Sequence, residues 1–335
     1  MRPEGPSNLA VDKVSIHSRQ KHSLLEAYLR VWTKNVGANW GSDAPSLDIY
    51  DLFAGSGWCV EKLYQQDEWP GTALVAAEQL REYPSRRRCL LYLNSWAEEE
   101  AERAALLEAL QTRVKSIGYE RKNRDVHYWS GPLAEVLPEA LECHAERAQY
   151  PSLWVLDPYA GSDLPWNSVR QIASQVGTFR NRAGQIRSRR PELFINFMTS
   201  GLQENIHRQR LVTTVLGCSE AEWRTHLGTV RDEGGSILDA LTTFYMQQIQ
   251  AVYGRPPFVV PVQGKDGNPV SMLFLAVERD AAWHSIRRES IPYFVNWRAA
   301  KYEPRKEWVR ARHRIDRSVP EGQRQTDLGE YPDLP

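Results

Sequence analysis

The sequence predicts an α/β fold: a doubly wound, mostly parallel sheet that ends in an antiparallel hairpin. Three observations predict it. Five short apolar segments alternate with helical stretches between residues 47 and 216, the order that builds βαβ units. The first segment runs straight into a glycine-rich turn, Asp51-Leu-Phe-Ala-Gly-Ser-Gly57. Near the end, strand patterns at 258–262 and 270–277 flank Lys265-Asp-Gly-Asn268, a hairpin turn signal.

Taken in order, residues 1–15 read as a polar lead-in. Residues 17–36 predict a helix, because Leu24, Leu25, Tyr28, Leu29 and Trp32 fall at helical spacing. The strand at 47–53 enters the glycine turn, and 58–64 is expected to be the helix that follows. Residues 72–78 extend a further helix. A second strand is predicted at 88–93, a helix rich in strong formers at 97–117, and a third strand at 126–129. The helix at 132–147 puts Leu133, Val136, Leu137, Ala140 and Leu141 on one face. Residues 153–156 are continuously apolar, as in a strand buried on both faces. A helix at 166–176, a fifth strand at 193–197 and helices at 202–216 and 237–253 precede the hairpin. The expected organisation is a lead-in (1–15), one domain (16–290) and a basic extension with a polar, proline-rich tail (291–335).

Composition limits the function classes. With 335 residues, 41% hydrophobic and 25% charged, the chain is long enough to bury a core and too apolar to be disordered throughout. Twelve Trp and fourteen Tyr call for a deep core or a binding surface. Net charge is zero, so bulk charge names no partner. Locally, residues 178–190 hold five Arg and no acid, and residues 279–317 hold eleven Lys or Arg against five acids. The first, the Arg180–Arg190 loop, and the second, where Trp297, Tyr302 and Trp308 interleave with basic residues, suit contact with nucleic acid. Solvated loops and a packed basic helix have the same composition. The four cysteines lie far apart and form no metal-ligand spacing, which predicts a reduced, cytoplasmic protein without structural zinc. No segment reads as a signal peptide or membrane span. Ser-His-Asp order, a Walker loop and H-E-x-x-H are all absent.

The chemistry is expected at two strand ends. Glycines at 55 and 57 let backbone approach a ligand closely, a following helix N-terminus would offer N–H groups to an anion, and ligands of doubly wound sheets sit beyond the carboxyl ends of the strands. Asp51, Phe53, Ala54, Gly55 and Gly57 are therefore candidate binding residues. A structural turn with no ligand is the alternative. The second site is Asp157-Pro158-Tyr159, which equally reads as a strand end turning through proline. Asn196 closes the fifth strand and either lines the same cleft or caps a turn. After the second strand, where an acid is usual for ribose, the chain has Asn94. After the third it has Ser130-Gly131-Pro132 and no acid.

These features resemble the three-Cys-motif partner protein (TcmP) family. The resemblance is carried by the first helix with Lys21 to Tyr28, Asp51-Leu-Phe-Ala-Gly, Asp157-Pro-Tyr-Ala-Gly with Trp166, Ile195-Asn-Phe, and the hairpin ending in Phe274-Leu-Ala-Val277. It implies a Rossmann-like class I methyltransferase fold, a bacterial or phage setting and a three-Cys partner that looks like a radical-SAM enzyme. The Asp-Pro-Tyr run is similar to the motif with which methyltransferases hold exocyclic amines. The expectation is thus an S-adenosylmethionine-dependent methyltransferase acting on an amine, with a nucleobase in view. Asp51, Phe53, Ala54, Gly55, Gly57 and Asn94 would hold the cofactor, and Asp157, Pro158 and Tyr159 the acceptor. The alternative is a non-catalytic protein that uses the same fold to bind nucleic acid or the three-Cys protein. A metal-dependent nuclease is a weaker third reading, because no carboxylate cluster stands out.

Overall fold

The computed structural model describes residues 9–15, 17–37, 45–62, 68–83, 88–120, 124–180, 184–264 and 268–278. The chain opens with β1 (Asp12–Val14) and α1 (Ser18–Gly37), then β2 (Asp48–Asp51), β3 (Trp58–Glu61), β4 (Glu68–Pro70) and α2 (Thr72–Glu82). It continues with β5 (Cys89–Asn94), α3 (Glu100–Ser116), β6 (Arg124–Trp129), α4 (Leu133–Arg147), β7 (Ser152–Leu156) and α5 (Trp166–Ala173). Then come β8 (Gly177–Arg180), β9 (Ile186–Arg189), β10 (Glu192–Phe197), α6 (Thr199–Glu204), α7 (Gln209–Leu216), α8 (Glu220–Asp232) and α9 (Ile237–Tyr253). The last two strands are β11 (Phe258–Gln263) and β12 (Pro269–Ala276).

Seven strands form the central sheet in the order β11-β12-β10-β7-β2-β5-β6. The five from β10 to β6 are parallel, and β12 is antiparallel to both its neighbours. This is a doubly wound, Rossmann-like α/β fold with the expected C-terminal hairpin. From β2 the chain moves outward to β5 and β6, then returns to the other side of β2 as β7. The topological switch point therefore lies between β2 and β7.

Strand alternation sorts the core into two layers. Ile49, Leu91 and Val155 pack with Leu24, Leu25, Leu74 and Leu110 from α1 to α3. Tyr50, Tyr92 and Trp154 face Val136, Val169, Leu241 and Phe244 from the helices of the other face. Register places these aromatics side by side: Tyr50 is opposite both Trp154 and Tyr92, and its ring stacks on each at 4.2 Å. Three of the aromatic residues, Tyr50, Tyr92 and Trp154, are thus core rather than binding surface.

Four expectations need correction. Residues 58–64 were expected to be helical, but 58–61 form β3, which pairs with β4 and with β1. The helix after the glycine turn is α2, delayed until Gly71 N–H closes back on Gly57 O at 2.9 Å. The described part of the lead-in, residues 9–15, is built into the fold through β1, whose Asp12 side chain finds its partner in the turn. The Arg180–Arg190 loop is a two-stranded hairpin, β8 with β9, in which Arg189 stacks over Phe179 at 4.2 Å. Finally, α8 was not anticipated; Ser219 and Glu222 cap it reciprocally. The extension at 291–335, with Trp297, Tyr302 and Trp308, lies outside the described residues. Among those described, no helix is long and apolar enough to cross a membrane.

Candidate functional site

A cavity of about 190 Å³ sits at the switch point, beyond the carboxyl ends of β2, β7 and β10. Its wall includes Phe53 and Ala54 from the turn after β2, Asp157, Pro158 and Tyr159 after β7, and Asn196 at the end of β10. The far wall comes from the N-terminal region: residues 12–15, then His17, Lys21 and His22.

Asp51 lies behind this wall, fully buried. Its Oδ1 accepts from Phe53 N–H (3.1 Å) and its Oδ2 from the Thr72 hydroxyl (2.5 Å). Burial pushes its carboxyl up to about 7; the two hydrogen bonds oppose that, and the charges of Asp157 and Asp12 add to it.

Asp157 is the centre of a buried ion cluster. Lys21 Nζ donates to its Oδ1 at 2.5 Å, and Asn196 Nδ2 donates to the same oxygen at 2.8 Å. His22 Nε2 stands 3.7 Å from Oδ2. Trp69 Nε1 donates to His22 Nδ1 at 3.0 Å, so neutral His22 carries its proton on Nε2, toward Asp157. Burial alone would raise the Asp157 carboxyl, but the Lys21 ammonium and His22 outweigh it and hold it well below the usual range. Burial lowers His22, against the opposing pull of Asp157.

The turn itself is capped by Asp12. Its Oδ2 accepts from Ser56 N–H (2.9 Å) and the Ser56 hydroxyl (3.0 Å), and Tyr159 OH reaches Oδ1 at 3.3 Å. Burial pushes Asp12 up to about 6 against these hydrogen bonds and the nearby Arg113. Gly55 and Gly57 have φ of +55° and +77°, where L side chains are strained. Gly55, Gly57 and Asn94 are not in the cavity wall. Asn94 instead staples strand ends: Nδ2 donates to Leu52 O and Gly131 O, and Oδ1 accepts from Gly131 N–H.

The structure thus brings together Phe53, Ala54, Asp157, Pro158, Tyr159 and Asn196, with Asp51 behind them, and sets Asn94 apart. Sequence reasoning gave no chemical role to Asp12, Lys21 and His22. Lys21 had a signal: it is a cation in line with the apolar stripe Leu24, Leu25 and Tyr28. Asp12 had none. Asp12, Asp51 and Asp157 interact electrostatically, but among the described residues no three His, Cys, Asp or Glu side chains are placed to hold a metal.

The donor set bears on S-adenosylmethionine unevenly. Asp12 and Asn196 offer acceptors to a cationic group, and Lys13 and Lys21 line the same cavity. The N–H cradle expected for its carboxylate is filled by Asp12, and the amide expected for its ribose is engaged with backbone. No protein-family model matches the chain, and no curated protein matches it.

Proposed function

We propose that this protein is a Rossmann-like methyltransferase that binds S-adenosylmethionine at the switch-point cavity and acts on an amine, with a nucleobase exocyclic amine as the acceptor class. One observation carries the reading. The turn after β2 and Asp157-Pro158-Tyr159 after β7 open onto the same cavity, and a buried ion cluster stands in it. Buried ion pairs are weak devices for stability and common ones at functional sites. The C-terminal hairpin supports the reading, as the class I methyltransferase resemblance implies.

When bound, the cofactor supplies a methyl group already activated on its sulfonium. The chain's own residues bind and orient. Phe53 and Ala54 form the apolar wall, and Asp12 and Asn196 offer acceptors. Asp157 fixes Lys21 at the cavity. An amine reaching Asp157 uses Oδ2, because Oδ1 already accepts from Lys21 and Asn196. The Tyr159 ring, 53% exposed, offers a face on which a base can stack.

Calorimetry with S-adenosylmethionine on the full chain tests this. Saturable binding is expected, at least ~10-fold weaker in Gly55→Asp, because a side chain there adopts φ +55° and meets Asp12 Oδ2 at 2.5 Å. Absence of binding to the unaltered protein would contradict the proposal.

A second reading, a non-catalytic protein that binds nucleic acid or a three-Cys radical-SAM-like protein, is favoured by two observations. Asn94 is fully engaged, and the β8–β9 hairpin exposes Arg180 and Arg187 beside Ile186 (67%) and Val176 (49%). Oligonucleotide binding that falls steeply with salt, and is lost on replacing both arginines, would support it.

A further inference from the structure

A glycine turn with open N–H groups attracts anions. Here those groups already hold one. Ser56 donates twice to Asp12 Oδ2, and a Cβ on Gly55 would lie 2.5 Å from that oxygen and 2.6 Å from the Tyr159 hydroxyl. The missing side chain at 55 is the room in which Asp12 sits. Its approach is fixed from two directions. The β1–β3 register runs from Asp12 opposite Cys59 to Val14 opposite Glu61. Arg113 Nη1 donates to Ala10 O (2.6 Å) and Ser56 O (2.9 Å), tying the N-terminal segment to the turn. Asp12 also lines the cavity. Across it, Asn196 is 1% exposed, directs Nδ2 to Asp157 and has an Oδ1 that accepts no hydrogen bond among the described residues.

We propose that Asp12 converts the glycine turn from an anion-binding into a cation-binding element, so that the ammonium or sulfonium part of the ligand is received between Asp12 and Asn196 Oδ1. The inference rests on the S-adenosylmethionine reading only for the name of the ligand. The charged and titratable groups around Asp12 are Arg113 from α3, Cys59 from β3, Tyr159 and Asp157 after β7, and Asp51 at the end of β2, with Lys13, His17, Lys21 and His22 lining the same cavity. Burial raises Asp12, and Arg113 and the hydrogen bonds from Ser56 and Tyr159 oppose it. A cation bound beside Asp12 favours its charged form, and Asp12 then titrates lower.

The test follows the Ser56 amide of the full chain by NMR between pH 4.5 and 8. The amide is expected to report a titration near 6 in the unaltered protein and none in Asp12→Asn. Methylammonium chloride is expected to lower that midpoint where sodium chloride at equal ionic strength does not. S-adenosylmethionine is expected to lower it further, and to bind at least ~10-fold more weakly to Asp12→Asn. Should Asp12→Asn fail to fold, Ser56→Ala loosens the same carboxylate and is expected to weaken the methylammonium response several-fold. Two results would overturn the proposal. Displacement of Asp12 by acetate, with tighter cofactor binding in Asp12→Ala, would make the turn an anion site that Asp12 plugs. A Ser56 amide indifferent to both probes would make Asp12 a structural clip. A methylammonium response without a cofactor response would keep the cation site and remove S-adenosylmethionine as its ligand.

Discussion

The two ends of β2 carry the same side chain and treat it differently. At the amino end, buried Asp48 meets Arg147 in a two-pronged pair, Nε to Oδ2 at 2.7 Å and Nη2 to Oδ1 at 2.8 Å, with Ser46 on the same guanidinium. At the carboxyl end, Asp51 has a hydroxyl and a backbone N–H as its hydrogen-bond partners among the described residues. Burial raises both carboxyls, but Arg147 opposes the rise at Asp48, whereas Asp12 and Asp157 reinforce it at Asp51. The lesson is positional. One edge of the sheet neutralises its charge and serves stability. At the other edge Lys21 neutralises Asp157, while Asp51 and Asp12 are held by hydroxyl and backbone N–H donors in place of a paired guanidinium.

The largest expected effect tests the structural end. Arg147→Ala leaves Asp48 buried without its cation and should cost about 3 kcal/mol in denaturant unfolding, with cofactor affinity unchanged. An equal loss of affinity would break the contrast between the ends.

Asp51→Asn sharpens the other end. A carboxyl raised to about 7 when folded binds more protons folded than unfolded between pH 4 and 7. Stability therefore falls as pH rises through that window and is flat below it. The variant should lose the Asp51 share of this slope, a few kcal/mol at roughly 1.4 kcal/mol per pKa unit, and keep the share of Asp12, which is raised to about 6. Parallel pH profiles for the two proteins would contradict the assignment.

Smallest is a control away from both ends. Ser219→Ala removes the α8 cap and should cost about 1 kcal/mol, with neither the pH slope nor affinity altered.

How much of this was legible follows from the range of each interaction. The parallel strands showed as continuous apolar runs because both faces are covered. Asp51 and Asp157 were found because strand ends are where such sheets bind. Helix α8 escaped because Trp223 is its only buried residue, which leaves no periodic stripe to read. Residues 58–61 carry too few positions to tell a strand from a first helical turn. Asp157 meets Lys21 across 136 residues and Asp12 meets Ser56 across 44. Nothing local in the sequence announces either pairing, so Asp51 and Asp157 were visible while Asp12 and Lys21 were not.

Cofactor binding at the switch point is tested most directly by an amide chemical-shift map of the full chain as S-adenosylmethionine is added. Movement is expected at residues 12–15, 51–57, 71–72, 157–159 and 196, with Asp48 and Arg147 still. Shifts confined to the β8–β9 hairpin, or none at saturating cofactor, would contradict it.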